Sequence, residues 1–182
     1  MSELTVATRY AKSLIDLAQE QKTLEPVKAD MELFVQTLKA STELQAVLRN
    51  PIIPHIKKKN ILHAIFDGKV SKVTLLFFDI MVNKSRGEIL YPAAVEFVNQ
   101  YNVIKNIVNA TVVSASPLSA ANLKTITDQV KAITGGEVVI HASVNPDLIG
   151  GFVLTIGDRQ IDTSVATDLK IIKKEFAQRV IQ

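Results

Sequence analysis

Apolar residues recur every three to four positions from Val6 to about Tyr101, and near Asn106 the period changes to that of a strand, with helical spacing returning at Leu123–Ile133 and Val165–Phe176. The first spacing belongs to helices with one buried face, the second to strands. The pattern predicts a two-domain α+β protein. Residues 1–105 read as a six-helix bundle, and residues 106–182 as a small β-α-β-β-β-α domain.

In the first helix Val6, Ala7, Tyr10, Ala11, Leu14, Leu17 and Ala18 form one stripe, opposite Arg9, Lys12, Asp16, Gln19 and Glu20. Leu24, Val27, Met31, Phe34 and Leu38 mark a second helix, with Pro26 tolerable in its first turn. Ser41 or Thr42 caps a short third helix carrying Leu44, Val47 and Leu48. It stops before Asn50-Pro51, because a residue preceding proline avoids the α region. Past the turn at Asn50–Pro54, a fourth helix carries Ile56, Ile61, Leu62, Ile65 and Phe66 and ends at Asp67-Gly68. The fifth, about Ser71 to Lys84, is apolar on most sides: Val73, Leu75, Leu76, Phe77, Phe78, Ile80, Met81, Val82. Such a helix is expected at the buried centre of a bundle. Arg86-Gly87 interrupts it, and a sixth helix from Glu88 turns Leu90, Ala94, Phe97, Val98 and Tyr101 inward.

Ile107 to Ser114 is β-branched and valine-rich, the composition of a strand. Ser119 caps a helix with Leu123, Ile126, Val130 and Ile133 on its buried face, Leu118 stapling its start and Gly135-Gly136 ending it. Val138 to Val144 is a second strand, parallel to the first through a right-handed crossover. After Asn145-Pro146-Asp147, Gly150-Gly151 opens a strand in which Phe152, Leu154 and Ile156 alternate with Val153 and Thr155. Gly157-Asp158 suits a tight hairpin into Arg159–Ile161. Asp162, Thr163 and Ser164 are all good caps for a last helix, whose Val165, Leu169, Ile172 and Phe176 share one face.

Composition narrows the classes. Of 182 residues, 47% are hydrophobic and 21% charged, enough apolar content for a real core. The absence of cysteine excludes disulfides and thiolate chemistry. Residues 1–105 carry 14 lysines and arginines against 11 acids, and residues 106–182 carry seven of each. The excess of +3 is too mild to argue for nucleic acid. The one dense basic run, Lys57-Lys58-Lys59, reads as a solvated helix face. No secretory or transit segment is expected at the N-terminus. No apolar run approaches the roughly 18 residues a membrane span requires; the longest, Val73 to Val82, is broken by Thr74 and Asp79.

Catalytic signatures are missing. His55, His63 and His141 are scattered, and His63 with Asp67 at i, i+4 reads as a surface pair. No zinc or di-iron spacing occurs, so no metal or cofactor is expected. Asp158 and Asp162 are explained as turn residue and cap. Gly150-Gly151 enters a strand, so it does not present phosphates to a helix N-terminus. Ser164 lacks a glycine elbow and a histidine base. The residues alone reach only a two-domain helical adaptor; a non-catalytic helical adaptor binding another partner's amphipathic helix is one alternative. The rival, a small enzyme or ligand-binding α/β domain with a helical accessory, needs a cluster of titratable groups that the chain does not display.

The order Leu148-Ile149-Gly150-Gly151-Phe152, Ile156-Gly157-Asp158, Ile161-Asp162-x-Ser164-Val165 and a following Leu169 resembles the C-terminal signature of the delta subunits of F-type ATP synthase. That family includes the mitochondrial oligomycin-sensitivity-conferring protein. Looser likenesses sit at Arg9-Tyr10-Ala11-x-x-Leu14, at Asn50-Pro51 followed by Lys58 or Lys59, and at Asn83-Lys84-x-Arg86. Gly87 departs from the family, which more often has leucine there, and leaves the start of the sixth helix open.

The resemblance implies a non-catalytic peripheral-stalk connector of a proton- or sodium-translocating synthase. Such a subunit holds the catalytic head against rotational torque. It implies a peripheral membrane protein on the cytoplasmic face of the cell membrane, within a complex. Residues 1–105 would bind the head and residues 106–182 the stalk. The implied partners are the N-terminal helix of an alpha subunit and the C-terminal region of the b subunits. Carried onto this chain, the alpha-helix groove uses Tyr10, Ser13, Leu14 and Leu17 of the first helix and Leu76, Ile80 and Asn83 of the fifth. The same apolar positions also suit bundle core, because a buried stripe and a groove share one pattern. For the stalk, the last helix offers Lys170, Lys173, Lys174 and Arg179 opposite its apolar face.

Overall fold

The structure, a computed structural model, describes residues 3–179, leaving aside the side chains of residues 120, 133, 175 and 177–179. Ile133 and Arg179, named above from the sequence, therefore have side chains outside the described residues. The chain forms two compact units, residues 1–102 and 103–182.

The first unit is helical. Its elements are α1 (Glu3–Glu20), α2 (Leu24–Ala40), α3 (Thr42–Arg49), α4 (His55–Phe66), α5 (Lys72–Asn83) and α6 (Leu90–Ile104), with a 3-10 turn at Gly87–Ile89 leading into α6. The core is built around Phe34, Phe66 and Phe78, whose ring centroids lie 4.5 to 5.8 Å apart. Ala7, Ala11, Leu14, Ile15 and Ala18 pack α1 into it. The small residues let α1 approach its neighbours closely, and Gln100 Nε2 donates to Thr8 O to tie α6 to α1. Ser41 caps α3 by accepting from Leu44 N at 3.3 Å.

Two buried polar side chains fasten this unit. Asp30 of α2 accepts from Ser71 N and from Thr74 Oγ1, both at 2.8 Å, so it caps α5 from another helix. Lys58 corrects the solvated-face reading of the lysine run: it is only 6% exposed. Its Nζ donates to Leu48 O at 2.8 Å, satisfying a free carbonyl at the end of α3. Burial pushes its amine below the ordinary lysine value, and nearby Glu88 partly offsets that. Gly87 packs against the same corner. A Cβ there would make a tight approach of 3.0 Å to Leu48 O and an ordinary contact of 3.7 Å to Lys58 Nζ.

The expected His63–Asp67 pair is replaced by one between helices. His63 Nε2 lies 3.2 Å from Asp79 Oδ1 on α5, with Lys59 Nζ 3.8 Å from the same oxygen. Asp67 is the C-cap of α4 with extended backbone, so its side chain leaves the helical face that an i, i+4 pair needs.

The second unit is a four-stranded sheet with two helices. In chain order it runs β1 (Ile107–Ser114), α7 (Ala120–Thr134), β2 (Glu137–Val144), a 3-10 turn at Pro146–Leu148, β3 (Phe152–Ile156), β4 (Arg159–Asp162) and α8 (Val165–Arg179). The strand order is β2-β1-β3-β4, with β1 and β2 parallel and the other pairs antiparallel. Ala110 and Val112 pair with Ile156 and Leu154, and Ile126 and Val130 of α7 cover that face. Leu118 packs against the same cluster. Ser119 caps α7, and Gly135 ends it in the left-handed conformation.

The C-terminal signature closes on itself. Gly151 has φ +74°, and a Cβ on it would fall 2.1 Å from Thr163 O. A Cβ on Gly150 would fall 2.9 Å from the Val165 side chain. The two glycines leave room for the segment that enters α8, whose Val165 N donates to Gly150 O at 3.1 Å. Of the three candidate caps, Ser164 accepts from Thr167 N at 3.3 Å. Asp162 accepts from Ser164 N and Thr167 Oγ1, and Thr163 Oγ1 donates back to Phe152 O.

Candidate functional site

α5 is apolar nearly all round, yet it is not wholly enclosed. Thr74, Phe78, Met81 and Val82 face the core. Leu76 is 61% exposed and Ile80 45%, which corrects the expectation of a fully buried central helix. The bundle covers one side of α5 only. On the other side, α1 and α5 flank a cleft of about 220 Å³.

Its walls are Tyr10, Ser13, Leu14 and Leu17 from α1, and Val73, Leu76, Phe77 and Ile80 from α5. Six of the seven residues expected from the sequence thus come together. Leu14 is buried and forms floor, whereas Leu17 is exposed at the rim. Ser13 Oγ donates to its own Arg9 O at 2.9 Å, so the hydroxyl makes no demand on an occupant. Asn83, the last residue of α5, is exposed and does not line the cleft. Val73 and Phe77 lie outside the expected set; each sits three residues before an expected groove residue, on the same helical stripe.

A second depression of about 270 Å³ adjoins this cleft, sharing Tyr10 and Ser13 and adding Val6, Arg9 and Arg86. Arg86 stacks 5.2 Å from the centroid of the Tyr10 ring and donates through Nη1 to its hydroxyl. The loose motifs around Tyr10 and Arg86 therefore meet in space. A roomier hollow of about 390 Å³ lies between α2 and α6, where Val35, Tyr91, Val95 and Val98 are edged by Glu32 and Lys39.

In the second unit α8 presents an exposed apolar face. Val165, Leu169, Ile172 and Phe176 share one face and all stand in solvent, Phe176 at 63% exposure. Lys170, Lys173 and Lys174 are exposed too. Among the described residues no group of three His, Cys, Asp or Glu side chains is placed to hold a metal, and no helix is long and apolar enough to cross a membrane.

The described surface thus offers an apolar cleft between α1 and α5 and an apolar face on α8. Residues 6–176 match the family model described as ATP synthase delta (OSCP) subunit. The chain belongs to that family. The ATP synthase subunit delta of Cytophaga hutchinsonii is 38% identical over 184 residues, covering 100% of this chain and 99% of the relative. The chloroplastic subunit delta of Ochrosphaera neapolitana is 36% identical, covering 94% and 97%. A chain of the Toxoplasma gondii mitochondrial ATP synthase hexamer has the same fold, with a TM-score of 0.69 at 19% identity over 94% of this chain and 97% of that one. As an ATP synthase delta (OSCP) family member, the chain is a non-catalytic component of the peripheral stalk of F-type ATP synthase, linking head to stator.

Proposed function

We propose that the first unit grips the catalytic head by taking the N-terminal helix of an alpha subunit into the α1/α5 cleft. The second unit then holds the C-terminal region of the b subunits. The observation that carries the first contact is the pair Leu76 and Ile80, exposed on a helix whose opposite side is core, facing Leu17 across a floor containing Leu14. An amphipathic helix laid there covers these side chains with its own apolar stripe. Each large apolar side chain so buried contributes about 1.5–3 kcal/mol before ordering losses. The tie must resist torque, and slow dissociation from buried apolar area meets that need without any reactive group.

For the stalk contact, the support is the apolar face of α8 standing in solvent, on a helix that also exposes Lys170, Lys173 and Lys174. The sequence names the last helix as a platform without choosing a side; of its two sides, the bare apolar face is favoured, since desolvating it is favourable and desolvating lysines is not. In this reading the assembled subunit lies at the cytoplasmic face of the cell membrane.

The test is a calorimetric titration of the full chain with a synthetic peptide of the alpha N-terminal segment, beside the Ile80→Asp variant. Ile80 is exposed, so the variant folds, and its circular dichroism stays that of the parent. Tight binding lost in Ile80→Asp supports the cleft. Failure of the folded parent to bind refutes it.

A further inference from the structure

We propose that the groove reads the direction of its occupant, because Arg86 receives a carboxylate carried at one end of the docked alpha helix. The inference rests on the α1/α5 cleft being the docking site. The apolar cleft and the neighbouring depression share Tyr10 and Ser13, so they form one trough along α1. Its charge is confined to one end. Among the described residues the cleft is lined by uncharged side chains, whereas the depression carries Arg9 and Arg86 and no acid.

Arg86 is held for the task. Its stack over Tyr10 and its bond to the hydroxyl restrain a long side chain before any partner arrives. A guanidinium presents five N–H donors in a planar fork, and the Tyr10 bond uses one. An edge of the fork remains for a carboxylate, the group whose geometry it matches. Tyr10 thereby works on two sides, lining the apolar cleft and fixing the cation beside it.

From Val6 to Leu17 the trough spans about 16 Å, three turns of helix. An occupant with apolar anchors over Leu14, Leu76 and Ile80 meets Arg86 beyond them, in the adjoining depression. In the reverse direction the same acid would enter the uncharged cleft and lose its water without a partner, which is strongly unfavourable. Repulsive placement of this kind sets orientation as much as attraction does.

The experiment titrates the full chain with two peptides: the alpha N-terminal segment, and an analogue with each Asp and Glu changed to Asn and Gln. Both are run against the parent chain and against Arg86→Gln. The expected result is about three- to tenfold weaker binding of the amide analogue to the parent, and no difference between the peptides on Arg86→Gln. The difference on the parent shrinks as salt rises from about 50 to 500 mM. Equal affinity of the two peptides for the parent overturns the carboxylate contact and leaves groove docking in place. So does an identical loss on both chains. Because the peptide comparison on the parent needs no substitution in the protein, the inference is testable even where Arg86→Gln folds poorly. Failure of both peptides to bind the folded parent overturns the groove itself, and the inference with it.

Discussion

Arg86, three residues past the end of α5, closes over Tyr10 in α1, stacked on its ring and bonded to its hydroxyl across 76 residues of chain. The pair ties the loop that leads into α6 to the first helix at the mouth of the groove. Both partners are partly or fully exposed, so the tie contributes modestly to stability. Tyr10→Phe, which keeps the ring and drops the hydroxyl, is expected to lower the unfolding free energy by about 0.5 kcal/mol, and Tyr10→Ala by about 1–2 kcal/mol. Urea melts of the two variants decide this. Identical midpoints for parent and Ala variant would mean that the loop is fastened elsewhere.

Asp30 matters more, because it is buried and serves two donors at once. Asp30→Ala leaves Ser71 N and Thr74 Oγ1 without this acceptor at the start of α5. A loss of about 2–3 kcal/mol is expected, with faster amide exchange in the first turn of α5. A loss below about 0.5 kcal/mol would show that the cap is dispensable.

Lys58→Met tests the buried amine. The substitution keeps the volume but removes the donor to Leu48 O, so a net loss of about 1–2 kcal/mol is expected near neutral pH. The pH dependence has a definite sign. The folded amine lies below the ordinary value of 10.5, so the unfolded chain holds the proton more tightly. The cost of the buried charge is complete below the folded pKa and is relieved as pH rises from there toward 10.5. Denaturation of the parent at successive alkaline pH values should show that relief, and Lys58→Met should lack it.

Gly151 admits no side chain. With φ at +74° and Thr163 O where a Cβ would sit, Gly151→Ala should cost more than about 3 kcal/mol and unfold the second unit first. Amide exchange across 107–165 measures it. Full protection of β3 in the variant would contradict the close approach.

Asp162 supplies an acid-side prediction. The bonds it accepts from Ser164 and Thr167 hold its carboxyl below the usual aspartate range. A depressed folded pKa gives stability above the unfolded value that is lost as pH falls through the folded one. Asp162→Asn can still accept from Ser164 N but cannot titrate. Melting curves of the parent should therefore shift downward below about pH 4 more than those of Asp162→Asn. Parallel acid curves for the two would refute the assignment.

Much of the molecule was written locally. The spacing of Val27, Met31, Phe34 and Leu38 marks a helix wherever it lies, and Ser41, Ser71 and Ser119 cap the helices that follow them. Gly157-Asp158 places a two-residue hairpin between Ile156 and Arg159 because the turn needs a positive φ. The C-terminal signature was readable for the same reason: its glycines, strand and cap are neighbours in the chain.

Tertiary structure decided which apolar residues were left uncovered and which polar ones were enclosed. Leu76 and Phe78 look alike as neighbours in one greasy helix, yet one faces solvent and the other the aromatic core. Lys57 and Lys58 are adjacent lysines, yet only Lys58 meets the end of α3. His63 finds Asp79 rather than Asp67, and Asp30 caps a helix 41 residues away. Periodicity records the tendency of each residue to leave water. It does not record whether another part of the same chain arrives to cover it, and Leu76, Ile80 and Phe176 stay largely exposed among the described residues.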